Sequence, residues 1–230
     1  MNSKKLSNNV NFDTIEYKSL SEITAERLRE MIITGKLEAG AHITEIEVSE
    51  NMSVSRVVVR EAMLMLMRQG LLIKERNRYT KVVEFSRKEV EDIFDLRIAI
   101  EQAAAKKCIR VEAVIDRLAI RAQILQQMVA HKDYDKMDLV KCDMGFHNHI
   151  IKSSENYRLA NVWDEISGLL LSLLFRYTNM RVKFNYSHEE IIRALRECDE
   201  NVLRQEIERH INDTKHALMD TLDSLLKRSV

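Results

Sequence analysis

The chain is 230 residues long, 45% hydrophobic, with 36 basic and 36 acidic side chains and a formal net charge of zero. That allows one large or two modest domains with real cores, and a neutral total argues against nucleic acid unless positive charge is locally concentrated. No segment resembles a signal peptide or an 18-residue apolar run, which excludes a spanning helix and leaves a cytoplasmic protein as the expectation.

Residues 1–15 read as a polar arm. Residues 20–35, LSEITAERLREMIITG, form a helical pattern with Ile23, Leu28, Met31 and Ile32 as the apolar stripe, closed by Gly35. Residues 44–51 make a short helix with Thr44 as its cap and Glu47 as the capping-box partner. A turn at 51–53 leads into SVSRVVVREAMLMLM at 53–67, capped by Ser53 or Ser55. Val54, Val58, Ala62 and Leu66 recur there on one face, with Val57 and Met65 beside them. Arg56 and Arg60, at i and i+4, share another face. An amphipathic surface helix with two solvated arginines has the same pattern; the neighbours separate the readings.

Helix, short helix, turn, helix is followed at Gly70 by GLLIKERNRYTKVVEF, two beta-prone runs around a polar tip at 75–78. This order predicts a winged helix-turn-helix over residues 17–85, its second long helix entering the major groove of double-stranded operator DNA. From Met52 to Val83 there are seven basic residues (Arg56, Arg60, Arg68, Lys74, Arg76, Arg78, Lys81) against two acidic ones (Glu61, Glu75), plus five locally. The expected DNA contacts are Ser55, Arg56 and Arg60 on the helix, and Arg76, Arg78 and Lys81 on the wing.

Ser86 and Glu89 form a capping box at the joint, and from there only helical patterns follow, at 87–109, 111–130, 134–153, 156–180, 187–198 and 200–227. The second domain, 87–230, is thus an all-helical bundle. Its greasiest piece, ISGLLLSLLFRY at 166–177, reads as a buried helix. Cys108, Cys142 and Cys198 are spaced by 34 and 56 residues, fit no zinc ribbon or disulfide framework, and read as reduced thiols.

Within the bundle, Asp143 and His147 lie one turn apart on a shared face, while His149 points elsewhere. His188 and His210 lie on later helices. One carboxylate and three imidazoles suit zinc, nickel, manganese or iron, but spacing alone forces only Asp143 and His147 together. Arg97, in IFDLRIAIEQAAAKKC, has two readings: a core arginine satisfied by Glu101 or Asp95, or an anchor for a carboxylate ligand.

VSRVVVREAMLMLMRQGLL at 54–72 resembles the signature of the GntR family of bacterial transcriptional regulators, VSRxxVREALxxLxxxGLL. The bundle resembles that family's FadR-type ligand-binding domain, called FCD, in its shorter, six-helix, VanR-like branch. The matching motifs are DMGFH at 143–147, HEEIIRAL at 188–195 and ERHI at 208–211. The resemblance covers about 210 residues and implies that Asp143, His147, His188 and His210 fill the family's metal positions. It also implies a homodimer whose operator binding responds to a small organic acid. The chain departs from the family pattern at Ala39, in place of a proline, at Ile46, in place of an arginine that contacts DNA, and at Asn77, in place of a wing-tip glycine.

An enzyme reading, a metal-dependent hydrolase or lyase of helical-bundle type, needs a general base. The nearby candidates, Glu189 and Glu208, are more simply surface charge, so no enzyme is expected. A third reading leaves the bundle purely structural.

Overall fold

The computed structural model describes residues 18–75, 79–131, 135–177 and 186–226. Among them are nine helices and one three-stranded sheet. The first unit runs α1 (Leu20–Ile33), β1 (His42–Ile43), α2 (Glu45–Met52), α3 (Arg56–Arg68), β2 (Leu72–Lys74) and β3 (Thr80–Val82).

Capping boxes start α1 at Ser19 with Glu22, and α2 at Thr44 with Glu47, so the free N–H groups of each first turn are met by side chains. Ser53 closes α2 in the left-handed conformation, φ 53°, and Ser55 caps α3 by accepting from the Val58 amide. The sharp turn between the two helices is therefore built by serines. The buried faces differ from the apolar stripes read in the sequence. In α1 the core side is Ser21, Thr24, Ala25, Leu28 and Ile32, while Ile23 is 41% exposed. At 3.6 residues per turn Ile23 stands about 140° around the helix from Leu28. In α3, Val59 and Met63 take the buried places beside Ala62 and Leu66, and Val57, about 180° from Leu66, is exposed.

The sheet order is β1-β3-β2, all antiparallel, with Ile73 opposite Lys81 and Ile43 opposite Thr80. β2 and β3 are the wing. β1 adds two residues to the other edge of β3, too short a run to leave a periodic signal in the sequence.

Six helices follow: α4 (Arg87–Cys108), α5 (Glu112–His131), α6 (Lys136–Ser153), α7 (Tyr157–Tyr177), α8 (Glu189–Glu197) and α9 (Glu200–Leu226). All six predicted helices form, the first opened by the Ser86 and Glu89 capping box. α4 lies along α9 and α6, α6 also meets α5 and α7, and α8 bridges α5 and α9. Phe94, Leu118, Phe146, Trp163, Leu170 and Leu195 fill the bundle core. A separate core of Leu28, Ile32, Val59, Leu66 and Leu72 holds the winged unit.

The two cores touch through α7. Leu169 packs against both. Gly70, at φ +67°, lies so near that a Cβ there would come 2.8 Å from Leu169 Cδ1. Arg176, near the end of α7, donates from Nη2 to the carbonyl oxygens of Ile32 and Leu37. A bundle arginine thus answers carbonyl groups at and beyond the C-terminal end of α1.

Candidate metal centre and nucleic-acid interface

The four residues expected from the motifs converge in the bundle. α6 presents Asp143 and His147 from one face, the start of α8 brings His188, and α9 brings His210. His188 stands at the N-cap position of α8 yet makes no capping hydrogen bond with its side chain. Its imidazole is wholly buried instead and lies 3.9 Å, centroid to centroid, from the Phe146 ring. His188 Nε2 is 3.3 Å from His147 Nε2 and 3.4 Å from Asp143 Oδ1, and His147 Nε2 is 3.9 Å from Asp143 Oδ2. The His210 ring centroid lies 4.4 Å from that of His188 and 5.2 Å from that of His147. One donor atom from each residue falls within 4.8 Å of all the others, and all four residues are buried.

Burial governs the electrostatics. It pushes the Asp143 carboxyl up to about 6, with nearby Arg97 acting in the opposite direction. It drives all three imidazoles well below their ordinary range. Arg97 adds to the depression at His147, and the neighbouring rings add to it at His188 and His210. The imidazoles are therefore neutral, with lone pairs available. His210 Nδ1 is buried with no hydrogen-bond partner among the described residues. An unpaired buried nitrogen is costly, and four buried polar groups gathered round one point are an arrangement that a cation stabilises. Three imidazoles and one carboxylate are the donor chemistry of a divalent transition metal, so the residues present fit one.

Glu101 is the residue that sequence reasoning did not place here. Its Oε2 accepts from His147 Nδ1 at 2.6 Å, and its Oε1 accepts from Arg97 Nε at 2.7 Å. All three side chains are at most 1% exposed. An ionised Glu101 fixes the proton of His147 on Nδ1 and turns Nε2 toward the cluster. Of the two readings of Arg97, pairing with Glu101 is present. The Arg97–Glu101 spacing was legible as i, i+4; the approach of His147, 46 residues away, leaves no local signal. His149 lies outside the cluster.

In the winged unit Arg56 and Arg60 are exposed on the outer side of α3. Arg60 donates from Nε and Nη2 to Glu45 of α2, at 2.9 and 2.8 Å. The carboxyl of Glu45 is held below its ordinary range, first by that hydrogen bond and then by the charges of Arg60, Arg56 and Lys74. Lys81 on β3 pairs with Glu84 at 2.6 Å. Arg76 and Arg78 lie outside the described residues. Ile46 is 50% exposed on α2, an apolar side chain where the resemblance leads one to expect an arginine.

A helix-turn-helix with an exposed basic helix and a wing, joined to a helical bundle, defines a DNA-binding transcriptional regulator. Residues 20–82 match the family described as bacterial regulatory proteins, gntR family, and residues 92–213 match the FCD domain. The chain belongs to the GntR family and carries its FCD domain. It is similar to the gluconate operon transcriptional repressor of Bacillus subtilis, 23% identical over 206 residues, covering 85% of this chain and 84% of that protein. It is also similar to the transcriptional repressor RspR of Escherichia coli, 24% identical over 197 residues, covering 83% and 85% of the two chains. Among solved structures, the fold resembles McbR/YncC of E. coli with TM-score 0.67 and 19% identity, covering 89% and 99% of the two chains. It also resembles a GntR transcriptional regulator of Rhodococcus sp. RHA1 with TM-score 0.68 and 19% identity, covering 87% and 97%. These relatives are regulators, in line with the expectation that the chain is not an enzyme. No helix among the described residues is long and apolar enough to cross a membrane.

Proposed function

We propose that this regulator senses a small organic acid through a divalent transition metal held by Asp143, His147, His188 and His210. The observation that carries the reading is the burial of these four groups around a common point, with an unpartnered imidazole nitrogen among them. Residues 17–85 are the DNA-binding domain and residues 87–230 the effector-binding and dimerisation domain. The metal, when bound, supplies a Lewis-acid anchor for a ligand carboxylate. Glu101 holds His147 in the ligating orientation, and Arg97 places a positive charge beside the cluster for the acid's oxygens. That one relative is named for a gluconate operon agrees with an organic acid as effector.

Two copies present two copies of α3 to a two-fold operator, and half-site spacing is what such a dimer reads. Ser55, Arg56 and Arg60 meet the major groove, while Arg76, Arg78 and Lys81 meet the backbone or minor groove beside it. Helices from three parts of the bundle meet at the cluster, and α7 carries the winged unit. A ligand that shifts α6 therefore has a packed route to the joint.

Elemental analysis of protein prepared without chelator, joined to calorimetric titration of zinc, nickel and manganese into stripped protein, tests the metal. One equivalent is expected; less than a tenth of an equivalent and no heat would leave the bundle purely structural. Sedimentation at micromolar concentration tests the dimer, and a single-chain mass with and without DNA would overturn it.

A further inference from the structure

Beside the joint, between α1, the end of α3, α6 and α7, lies a cleft of about 470 Å³ shared by the winged unit and the bundle. Its charge is uneven. Arg29 enters from α1 and Lys141 and Lys152 from α6, against Asp164 from α7. Asp164 is already taken by Lys152, at 3.0 Å to each oxygen. Arg29 has its Nε on the Gln69 amide oxygen at 3.0 Å, and neither it nor Lys141 has a carboxylate partner among the described residues. Arg29 is also half-buried, and that burial works against its charge. Two cations face a shared cleft from different units, neither in an ion pair among the described residues, and Arg29 feels a nearby carboxylate, that of Glu26 on its own helix. Together the two cations make a place for an anion.

We propose that this cleft binds a small metabolite through its phosphate or carboxylate oxygens, clamped between Arg29 of the winged unit and Lys141 of the bundle. None of the residues that carry the site belongs to the metal cluster, so the reading stands apart from the one above. A ligand there ties Gln69, which caps the C-terminal end of α3, to α6, and so sets how the recognition helix is carried on the bundle.

Trp163, the chain's single tryptophan, lines the cleft and is an optical reporter at the site. The experiment is a fluorescence titration of the full chain, stripped of metal, with inorganic phosphate and with malonate, sodium chloride holding ionic strength constant. A saturable change in Trp163 emission is expected with at least one of them; phosphate alone would assign a phosphoryl ligand and malonate alone a carboxylate. Arg29→Gln and Lys141→Gln should each raise the half-saturating concentration at least fivefold. Lys141 is exposed, so its replacement should leave the thermal midpoint unchanged and separate binding from folding. No saturable change with either anion, or a change that Lys141→Gln retains in full, would overturn the site.

Discussion

Glu101 joins His147 to Arg97, accepting from His147 Nδ1 at 2.6 Å on one oxygen and from Arg97 Nε at 2.7 Å on the other. A carboxylate behind a ligating imidazole commonly changes metal affinity about 10–100-fold, because it fixes the tautomer and the ring direction. Glu101→Gln should therefore weaken zinc binding by that factor in competition with a chromogenic chelator. It should also lower stability by about 3–5 kcal/mol, since Arg97 keeps a buried charge and loses its carboxylate. Undiminished zinc affinity would mean that packing alone orients His147.

His147 and His149 stand two residues apart on α6 but only His147 joins the cluster. His147→Ala should lose most of the metal affinity and the thermal stabilisation that metal brings. His149→Ala should do neither, and its Nε2, buried without a partner, is no loss when removed. Equal losses from the two substitutions, read by calorimetry and thermal melting, would show that the wrong face of α6 has been assigned.

The pH dependence follows from which group takes a proton first. The imidazoles are held well below their ordinary range, so they stay neutral to lower pH than free histidines. Asp143, raised to about 6, is protonated earlier on acidification. In metal-free protein its raised carboxyl favours folding below its ordinary range and loses that contribution as pH rises through about 6. Metal binding runs the other way, because it needs the ionised carboxylate. The thermal shift produced by zinc should thus be full at pH 7.5 and shrink as pH falls through about 6. A zinc-induced shift unchanged between pH 7.5 and pH 5 would remove Asp143 from the ligand set.

What was legible in the sequence was what local geometry determines. The capping boxes at Thr44 and Ser86 fixed two helix starts, and Asp143 and His147 were one turn apart on any helix. The convergence of His188 and His210 came through family resemblance, because their approach depends on how α8 and α9 pack against α6. Buried faces were less legible where valines crowd a helix. In VVV at 57–59 hydrophobicity cannot say which side chain faces inward, and the inward one is Val59. Glu45 illustrates another limit: its pairing with Arg60 crosses the turn between α2 and α3 and has no fixed spacing.

That pairing bears on operator recognition. Arg60 meets Glu45 with a bidentate fork, and such a fork is also what reads a guanine edge. Arg56→Ala and Arg60→Ala should each weaken specific binding by about 1–3 kcal/mol with little change in folding. Glu45→Gln should strengthen binding to all duplexes alike, since it removes a negative charge that lies among Arg56, Arg60 and Lys74. Gel-shift titrations on cognate and scrambled duplexes decide both. Wild-type affinity from both arginine variants would withdraw α3 as the recognition helix.

Gly70 sits where the winged unit meets the bundle, immediately after α3 and its cap. Its φ of +67° is a conformation that costs an L-residue about 1–2 kcal/mol, and an added Cβ would lie 2.8 Å from Leu169 Cδ1. Gly70→Ala therefore carries two separable penalties, backbone strain and a contact with a leucine end that can move. Leu169→Ala removes the second and leaves the first. In a double-mutant cycle by urea unfolding, the Gly70→Ala cost should be smaller in the Leu169→Ala background, the difference being the contact. The same substitution should also displace the end of α3 relative to α7 and blunt the proposed response of operator affinity to metal and organic acid. A purely additive cycle would place the whole cost in the backbone. It would also take the Gly70–Leu169 contact out of the coupling between bundle and recognition helix.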